Sequence, residues 1–107
     1  MATLVADVLM AQFHAYRLSD GMLVLDLQTD LIDTGTRVVA PLLPAQENLR
    51  AITRLEPVFN VGGEQLVLHT AELAAVPSHV LPDTAIADLS DSDYAIRGAL
   101  DMVFSGF

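Results

Sequence analysis

Three histidines and a cluster of aspartates are the residues of this chain with the widest chemical uses. His14, His69 and His79 lie far apart in the sequence, and no two of them have the spacing of a metal-ligand pair. The chain contains no cysteine, which excludes disulfides, thiolate nucleophiles and cysteine zinc sites. The histidines are therefore predicted to be ordinary strand and loop residues.

Asp26, Asp30 and Asp33 fall within one short stretch of sequence. Such a cluster suggests paired carboxylates or a site for a divalent cation. The stretch lacks the alternating oxygen ligands, central glycine and final glutamate of a calcium-binding loop. We therefore predict that the three aspartates are solvated residues of a strand and a turn.

The remaining motifs give no indication of catalysis. Gly62-Gly63 is not followed by Lys-Ser or Lys-Thr, so it is not a phosphate-binding loop, and the chain has no nucleophile elbow. We predict that the protein is not an enzyme and that it needs no cofactor or metal.

The composition bounds the class of protein. The chain has 107 residues, the length of one domain, of which 52% are apolar and 18% charged. A small domain this apolar is expected to expose an apolar patch, which favours a homodimer. The formal charge is −9 and there is no lysine. Binding to nucleic acid or an anionic membrane requires a basic surface, so neither is expected.

The first nine residues are apolar, but they have no basic start and no cleavage signal. They are too short for a signal peptide or a membrane span. Met10 is a second candidate start of translation. We predict an N-terminal extension over residues 1–9 and one domain over residues 10–107.

Strands are predicted in the first two thirds of the chain. Residues 12–18 and 22–30 form a hairpin around the turn "SDG", with Leu23, Leu25 and Leu27 on one face of the second strand. Residues 37–43 form a third strand, in which a proline predicts an edge position or a bulge. Gly62-Gly63 predicts a second hairpin between residues 57–61 and 64–70.

One helix is predicted at the end of the chain. Ser90 is expected to cap it, with Asp91 and Asp93 in the first turn, where the helix dipole favours acids. The apolar stripe that follows has helical spacing and consists of Ile96, Ala99, Leu100 and Val103. Gly98 allows close packing against a sheet or a second subunit. Residues 44–52 are a short helical turn or a long loop, and residues 71–83 stay unassigned. Strands followed by a helix indicate an α+β fold.

The chain ends with "DMVFSGF", which places two aromatic rings beside the terminal carboxylate. Chain ends normally fray, so these rings must be packed or kept for a partner. Phe104 and Phe107 either complete a core or dimer seam, or form a contact surface shared by two subunits.

Six segments occur in the order typical of one protein family. They are "QFHAY", "LVLDLQTDLIDT", "RVVAPL", "AAVPSHV", "IADLS" and "MVFSGF". From Gln12 to Phe107 the chain resembles the CcdB family of toxins from toxin–antitoxin modules. The resemblance implies an SH3-like twisted antiparallel β-sheet with a minor sheet and a long C-terminal helix, assembled as a cytoplasmic homodimer.

The resemblance also implies a mode of action. Toxins of this family serve plasmid maintenance and are not enzymes. They insert into the A-subunit dimer of DNA gyrase and trap the enzyme on cleaved DNA. A CcdA-like antitoxin neutralises them with a disordered tail that folds on binding.

The resemblance assigns contact residues by position. Target contacts fall on Phe104, Ser105, Gly106 and Phe107. Antitoxin contacts fall on Leu31, Ile32, Asp101 and Phe104. The dimer interface includes Val103 and Gly106.

The sequence departs from the family in two places. Ser105 replaces a tryptophan that stacks on a gyrase arginine, and desolvated cation–π contacts are worth about 2 kcal/mol. The "RLSDG" turn lacks a basic cluster that the family carries, which predicts altered antitoxin recognition.

Two alternatives stay open: a non-toxic binding protein on the same scaffold, which sequesters antitoxin or has another protein target, and a ribonuclease. The second is disfavoured because five arginines and no lysine supply few cations for phosphate chemistry.

Overall fold

A computed structural model describes residues 11–45 and 54–107. The predicted extension over residues 1–9 and most of the segment at 44–52 lie outside these ranges. The described elements are seven strands, β1 (His14–Arg17), β2 (Leu23–Asp26), β3 (Thr36–Pro44), β4 (Val58–Val61), β5 (Glu64–Leu68), β6 (Ala74–Pro77) and β7 (Ala87–Asp88), and one helix, α1 (Asp93–Ser105). Short 3-10 turns cover Thr70–Glu72, Ser78–Val80 and Ser90–Ser92.

The described strands form one antiparallel sheet in the order β4-β5-β3-β2-β1-β7, with β6 also paired to β3. The β4–β5 hairpin joins the second half of β3, and β6 pairs with its first half. The predicted α+β fold, with a twisted antiparallel sheet and a C-terminal helix, is confirmed. No helix of the described residues has both the length and the apolarity needed to cross a membrane.

Both predicted hairpins are present. β1 pairs with β2, and the connecting turn contains Gly21 at φ 89°. In the second hairpin Val61 is opposite Glu64, so Gly62 and Gly63 alone form the turn, at φ 62° and 88°. Two consecutive positive φ values are the conformation of a two-residue hairpin turn that glycine adopts most readily.

The edge position predicted from Pro41 is wrong, because β3 is paired on both sides. The carbonyl of Pro41 accepts a hydrogen bond from the backbone N–H of His69, so the missing N–H points toward the same side. On that side the pairing with β6 ends at Val39 and the pairing with β5 begins at Leu42. Pro41 therefore lies where β3 changes partners, and the His69 carbonyl that a Pro41 N–H would have faced accepts instead from the Glu72 N–H.

The sheet buries apolar side chains on two faces. The larger cluster includes Phe13, Leu25, Leu68 and Ile96, and α1 contributes to it. The smaller cluster on the other side consists of Tyr16, Val24, Val39 and Leu81. The predicted leucine face of β2 is confirmed, since Leu25 and Leu27 are buried and Leu23 packs against them.

Helix α1 begins later than predicted. Ser90 opens a 3-10 turn, and the residue before α1 is Ser92, so the predicted capping role of Ser90 is wrong. The backbone N–H of Ser90 instead binds the Asp88 carboxylate, which draws the chain into the tighter turn. The predicted apolar stripe is confirmed at Ile96 and Ala99, which are fully buried.

Close packing of Gly98 against the sheet is not found within the described residues, and packing against a second subunit stays a prediction. A side chain at this position would meet no described atom within 4 Å. Gly98 instead helps to line an open cavity of about 690 Å³ beside the helix, together with Tyr94 and Asp101.

Candidate functional site

Two exposed apolar surfaces carry the residues that the sequence analysis singled out. The first is the loop between β2 and β3, residues 27–35, which we call the β2–β3 loop. Leu31 in this loop is 93% exposed and Ile32 is 52% exposed. The second is the end of α1 with the residues that follow it, residues 103–107, which we call the C-terminal tip.

A buried ion pair lies beneath the β2–β3 loop. Arg37 of β3 donates from Nε to Asp26 Oδ2 at 3.0 Å, and its Nη2 lies 2.8 Å from the same oxygen. The Asp26 side chain is 0% exposed and the Arg37 side chain 7%. The prediction that Asp26 is solvated is therefore wrong, because Asp26 shares its face of β2 with Val24 and this face packs into the smaller cluster.

Arg37 also binds inside the loop. Its Nη2 donates to the Gln28 carbonyl at 2.9 Å and to Asp30 Oδ1 at 3.2 Å. The Asp30 carboxylate additionally accepts from the backbone N–H of Gln12 at 2.9 Å. Asp30 is thus half-exposed and paired, and of the three clustered aspartates only Asp33 is a simple exposed turn residue.

Burial and charge act in opposite directions on Asp26. Burial raises the pKa of its carboxyl, and the hydrogen bond and charge of Arg37 only partly offset this. Burial likewise raises the pKa of the nearby Tyr16 hydroxyl, although Tyr16 accepts a hydrogen bond from the backbone of Ala11.

The β2–β3 loop has a defined internal structure. Asp26 Oδ1 accepts from the backbone N–H of Gln28 at 3.1 Å, which turns the chain out of β2 four residues before the predicted end of the strand. The Gln28 side chain donates to the Ile32 carbonyl at 2.9 Å and accepts from the Val38 N–H at 3.0 Å. The loop is therefore held by hydrogen bonds to its own backbone while Leu31 and Ile32 are exposed to solvent.

The C-terminal tip presents two aromatic rings. Phe104 is 72% exposed and Phe107 is 76% exposed. Gly106 has φ 82° and its N–H donates to the Met102 carbonyl at 3.0 Å, so it terminates the helix in the left-handed conformation. Ser105 between them is exposed and offers only a hydroxyl. The rings therefore do not pack in the core of the described residues, and a dimer seam or a contact surface for a partner stays a prediction.

The other residues singled out from the sequence lie on or beside α1. Val103 is half-buried and Asp101 is exposed at the cavity that Gly98 and Tyr94 line. Target, antitoxin and dimer contacts at these positions stay predictions.

The histidines are half-buried or exposed, and two of them lie beside carboxylates. His14 Nε2 is 3.5 Å from the Asp88 carboxylate across β1 and β7. His69 Nδ1 is 3.2 Å from Glu72 and 3.6 Å from Glu56. Among the residues that the structure describes, no group of three or more such side chains has the geometry to hold a metal ion.

Arg37 is the functional candidate that sequence reasoning missed. A weak signal existed, since a lone arginine in the apolar run "TRVVAPLL" implies a buried charge that needs an acidic partner. The cluster of aspartates earlier in the chain was the available partner.

One of the known protein-family models covers nearly the whole chain. The model described as "CcdB protein" matches residues 12–106, nearly the whole chain.

Proposed function

The chain belongs to the CcdB family, and on that premise we propose that it is the toxin of a type II toxin–antitoxin module. In this proposal a homodimer of the chain binds the A-subunit of DNA gyrase and traps the enzyme on cleaved DNA. It acts by binding alone, without catalysis. A CcdA-like antitoxin neutralises it.

The observation that carries the proposal is the exposure of Phe104, in the last turn of a firmly held helix, and of Phe107 just beyond its end. Ile96 and Ala99 anchor α1 in the core, while both rings further along the chain remain about three-quarters exposed, at 72% and 76%. Exposing large rings is unfavourable in water, and aromatic residues, phenylalanine included, are enriched in protein interfaces. A helix end that carries exposed rings suits insertion into a preformed groove of a partner.

Ser105 makes the proposed contact weaker than in family members that carry tryptophan. A desolvated cation–π contact of about 2 kcal/mol corresponds to roughly 30-fold in affinity. Serine has no aromatic ring and therefore supplies none of this cation–π energy. Phe107, two positions later and beyond the left-handed Gly106, presents its ring in a different direction.

The experiment is a DNA cleavage assay with purified gyrase and four proteins. These are the wild type, Ser105→Trp, Phe107→Ala and Tyr94→Ala. Tyr94 is the matched control, since it is also an aromatic residue of α1, is 91% exposed and lies at the opposite end of the helix. We expect cleaved DNA to accumulate with the wild type, more of it with Ser105→Trp, less with Phe107→Ala, and no change with Tyr94→Ala.

The outcomes separate the candidate functions. If cleaved DNA accumulates with Ser105→Trp but not with the wild type, the scaffold binds gyrase but this chain is an inactive toxin. No cleavage complex with any of the four proteins would refute gyrase poisoning.

The second candidate, a non-toxic protein that binds antitoxin, is favoured by one specific observation. The β2–β3 loop is ordered by its own hydrogen bonds and needs no contact from Ser105. A protein with this loop and a weakened tip could bind antitoxin without poisoning gyrase. Binding of an antitoxin peptide by the wild type, together with no gyrase binding, would support this function.

A further inference from the structure

We propose that Arg37 is a positioning residue that holds the β2–β3 loop in the conformation its partner recognises. The inference rests on the proposed function, in which Leu31 and Ile32 of this loop contact the antitoxin. It adds a residue that makes no partner contact of its own and acts through the loop backbone.

The Arg37 guanidinium group contacts several parts of the β2–β3 loop. Arg37 binds Asp26 before the loop, and the Gln28 carbonyl and Asp30 within it, at donor–acceptor distances from 2.8 to 3.2 Å. Arg37 itself follows the loop by two residues. One buried group thus ties the start, the first half and the end of the loop to each other.

These bonds fix the backbone around Leu31 and Ile32. Gln28, whose carbonyl is held by Arg37, binds the Ile32 carbonyl through its own side chain at 2.9 Å. The Leu31 N–H binds the Thr29 hydroxyl at 3.3 Å. The backbone on both sides of the apolar pair is therefore fixed through Gln28, although the two side chains project into solvent.

Arginine suits this position better than lysine. The planar guanidinium group carries several N–H donors in a rigid fork, whereas a lysine ammonium is a point charge on a flexible stem. Lysine could retain the pair with Asp26 but could not reach Asp26, the Gln28 carbonyl and Asp30 in this arrangement. The loop would then have to be ordered by the partner at the moment of binding.

The consequence is a change in affinity. Fixing even one or two backbone residues on binding is worth about tenfold or more in the binding constant. Loss of the Arg37 contacts should therefore weaken antitoxin binding by about tenfold, while the apolar contact side chains stay unchanged.

The experiment compares the full-length wild type with Arg37→Lys, Gln28→Ala and Asp30→Ala. Asp30→Ala removes one acceptor of Arg37 and leaves the buried Asp26–Arg37 pair intact, so it tests the proposal if Arg37→Lys fails to fold. Gln28→Ala keeps the carbonyl that Arg37 binds but removes the side-chain link to the Ile32 carbonyl, so it tests the route through Gln28. Arg17→Lys is the matched control, because Arg17 is an exposed arginine of the neighbouring strand β1. The probe is a synthetic peptide of the C-terminal segment of a CcdA-like antitoxin.

Two readouts are needed. Amide hydrogen exchange of residues 28–35 reports the order of the loop without any partner, and we expect faster exchange in the three loop variants but not in Arg17→Lys. Peptide affinity should fall about tenfold in the same variants. Leu31→Ala should cost less affinity in the Gln28→Ala background than in the wild type, because a disordered loop presents Leu31 less effectively.

Unchanged exchange of residues 28–35 in Arg37→Lys and Asp30→Ala would overturn the role of Arg37. Additive effects of Gln28→Ala and Leu31→Ala would overturn loop order as the means by which it affects binding. A wild type that fails to bind the peptide would instead overturn the antitoxin assignment in the proposed function. The gyrase assay separates the two surfaces further, since trapping by the C-terminal tip should be the same in Gln28→Ala as in the wild type.

Discussion

Removing Arg37 while leaving Asp26 in place should destabilise the fold strongly. The substitution Arg37→Met keeps most of the volume of the side chain but leaves a carboxylate with 0% exposed side chain beside apolar residues. Breaking a buried pair in this way costs about 3–5 kcal/mol. Small domains have a total free energy of unfolding of about 5–15 kcal/mol. The variant should therefore unfold at a much lower urea concentration than the wild type.

The cost of Arg37→Met should depend on pH. Burial raises the pKa of Asp26, and among the described residues Arg37 is the cation whose charge and hydrogen bond lower it, so the loss of Arg37 should raise this pKa further. The folded state then binds a proton at a higher pH than the unfolded state, so stability increases as pH falls from the raised pKa toward the ordinary value of 3.8. We expect the loss of stability to be largest near neutral pH and to shrink as the pH approaches that ordinary value.

The assay is urea unfolding of the wild type, Arg37→Met and the double variant Asp26→Leu/Arg37→Met, at neutral and acidic pH. The double variant removes the unpaired charge together with its partner, and apolar replacement of a buried pair is often neutral or stabilising. It should recover most of the lost free energy. A cost below about 1 kcal/mol for Arg37→Met, or the same cost at both pH values, would refute the reasoning that Asp26 is charged and buried.

Three other parts of the fold give further predictions. Ile96→Ala, at a fully buried position of α1, should cost about 2–5 kcal/mol in urea unfolding, and a cost below about 1 kcal/mol would mean that the helix is not anchored there. Gly106→Ala forces a side chain into a left-handed conformation at φ 82°, which costs about 1 kcal/mol locally. It should fray the C-terminal tip and reduce gyrase trapping with little change in melting temperature. Asp88 has a lowered pKa, mainly because the Ser90 hydroxyl and then its N–H donate to it. The stability it adds is present above the ordinary pKa and lost as pH falls through the lowered one, so Asp88→Asn should cost less than about 1 kcal/mol at neutral pH and nothing in strong acid.

Local signals predicted the parts of the fold that are determined locally. Gly62-Gly63 specified its hairpin because two successive residues at positive φ are needed there and glycine supplies them. The spacing of Ile96 and Ala99 specified the buried face of α1. The sequence also showed that the chain ends with two aromatic residues, although it left open whether they pack in a core or contact a partner.

The errors arose where the answer depended on residues far away in sequence. Asp26 was predicted to be solvated because its buried partner Arg37 lies on another strand. Pro41 was predicted at an edge because the sequence does not show that β3 exchanges one neighbour for another at that residue. For Ser90, a competing carboxylate at Asp88 determined the local turn. In each case, a contact that the local sequence pattern does not show determines the structure in place of the local conformational preference.

The short strands at the two ends of the sheet order have a consequence for self-association. Within the described residues, β4 has four residues and β7 only two, so neither end offers a long row of free backbone groups. Short edge strands discourage a second chain from extending the sheet. Two copies of this protein therefore have little opportunity to join by backbone pairing at either end. For the described part of the chain, we therefore expect a contact between two copies to be made mainly by side chains, so that single substitutions would change the association of protomers.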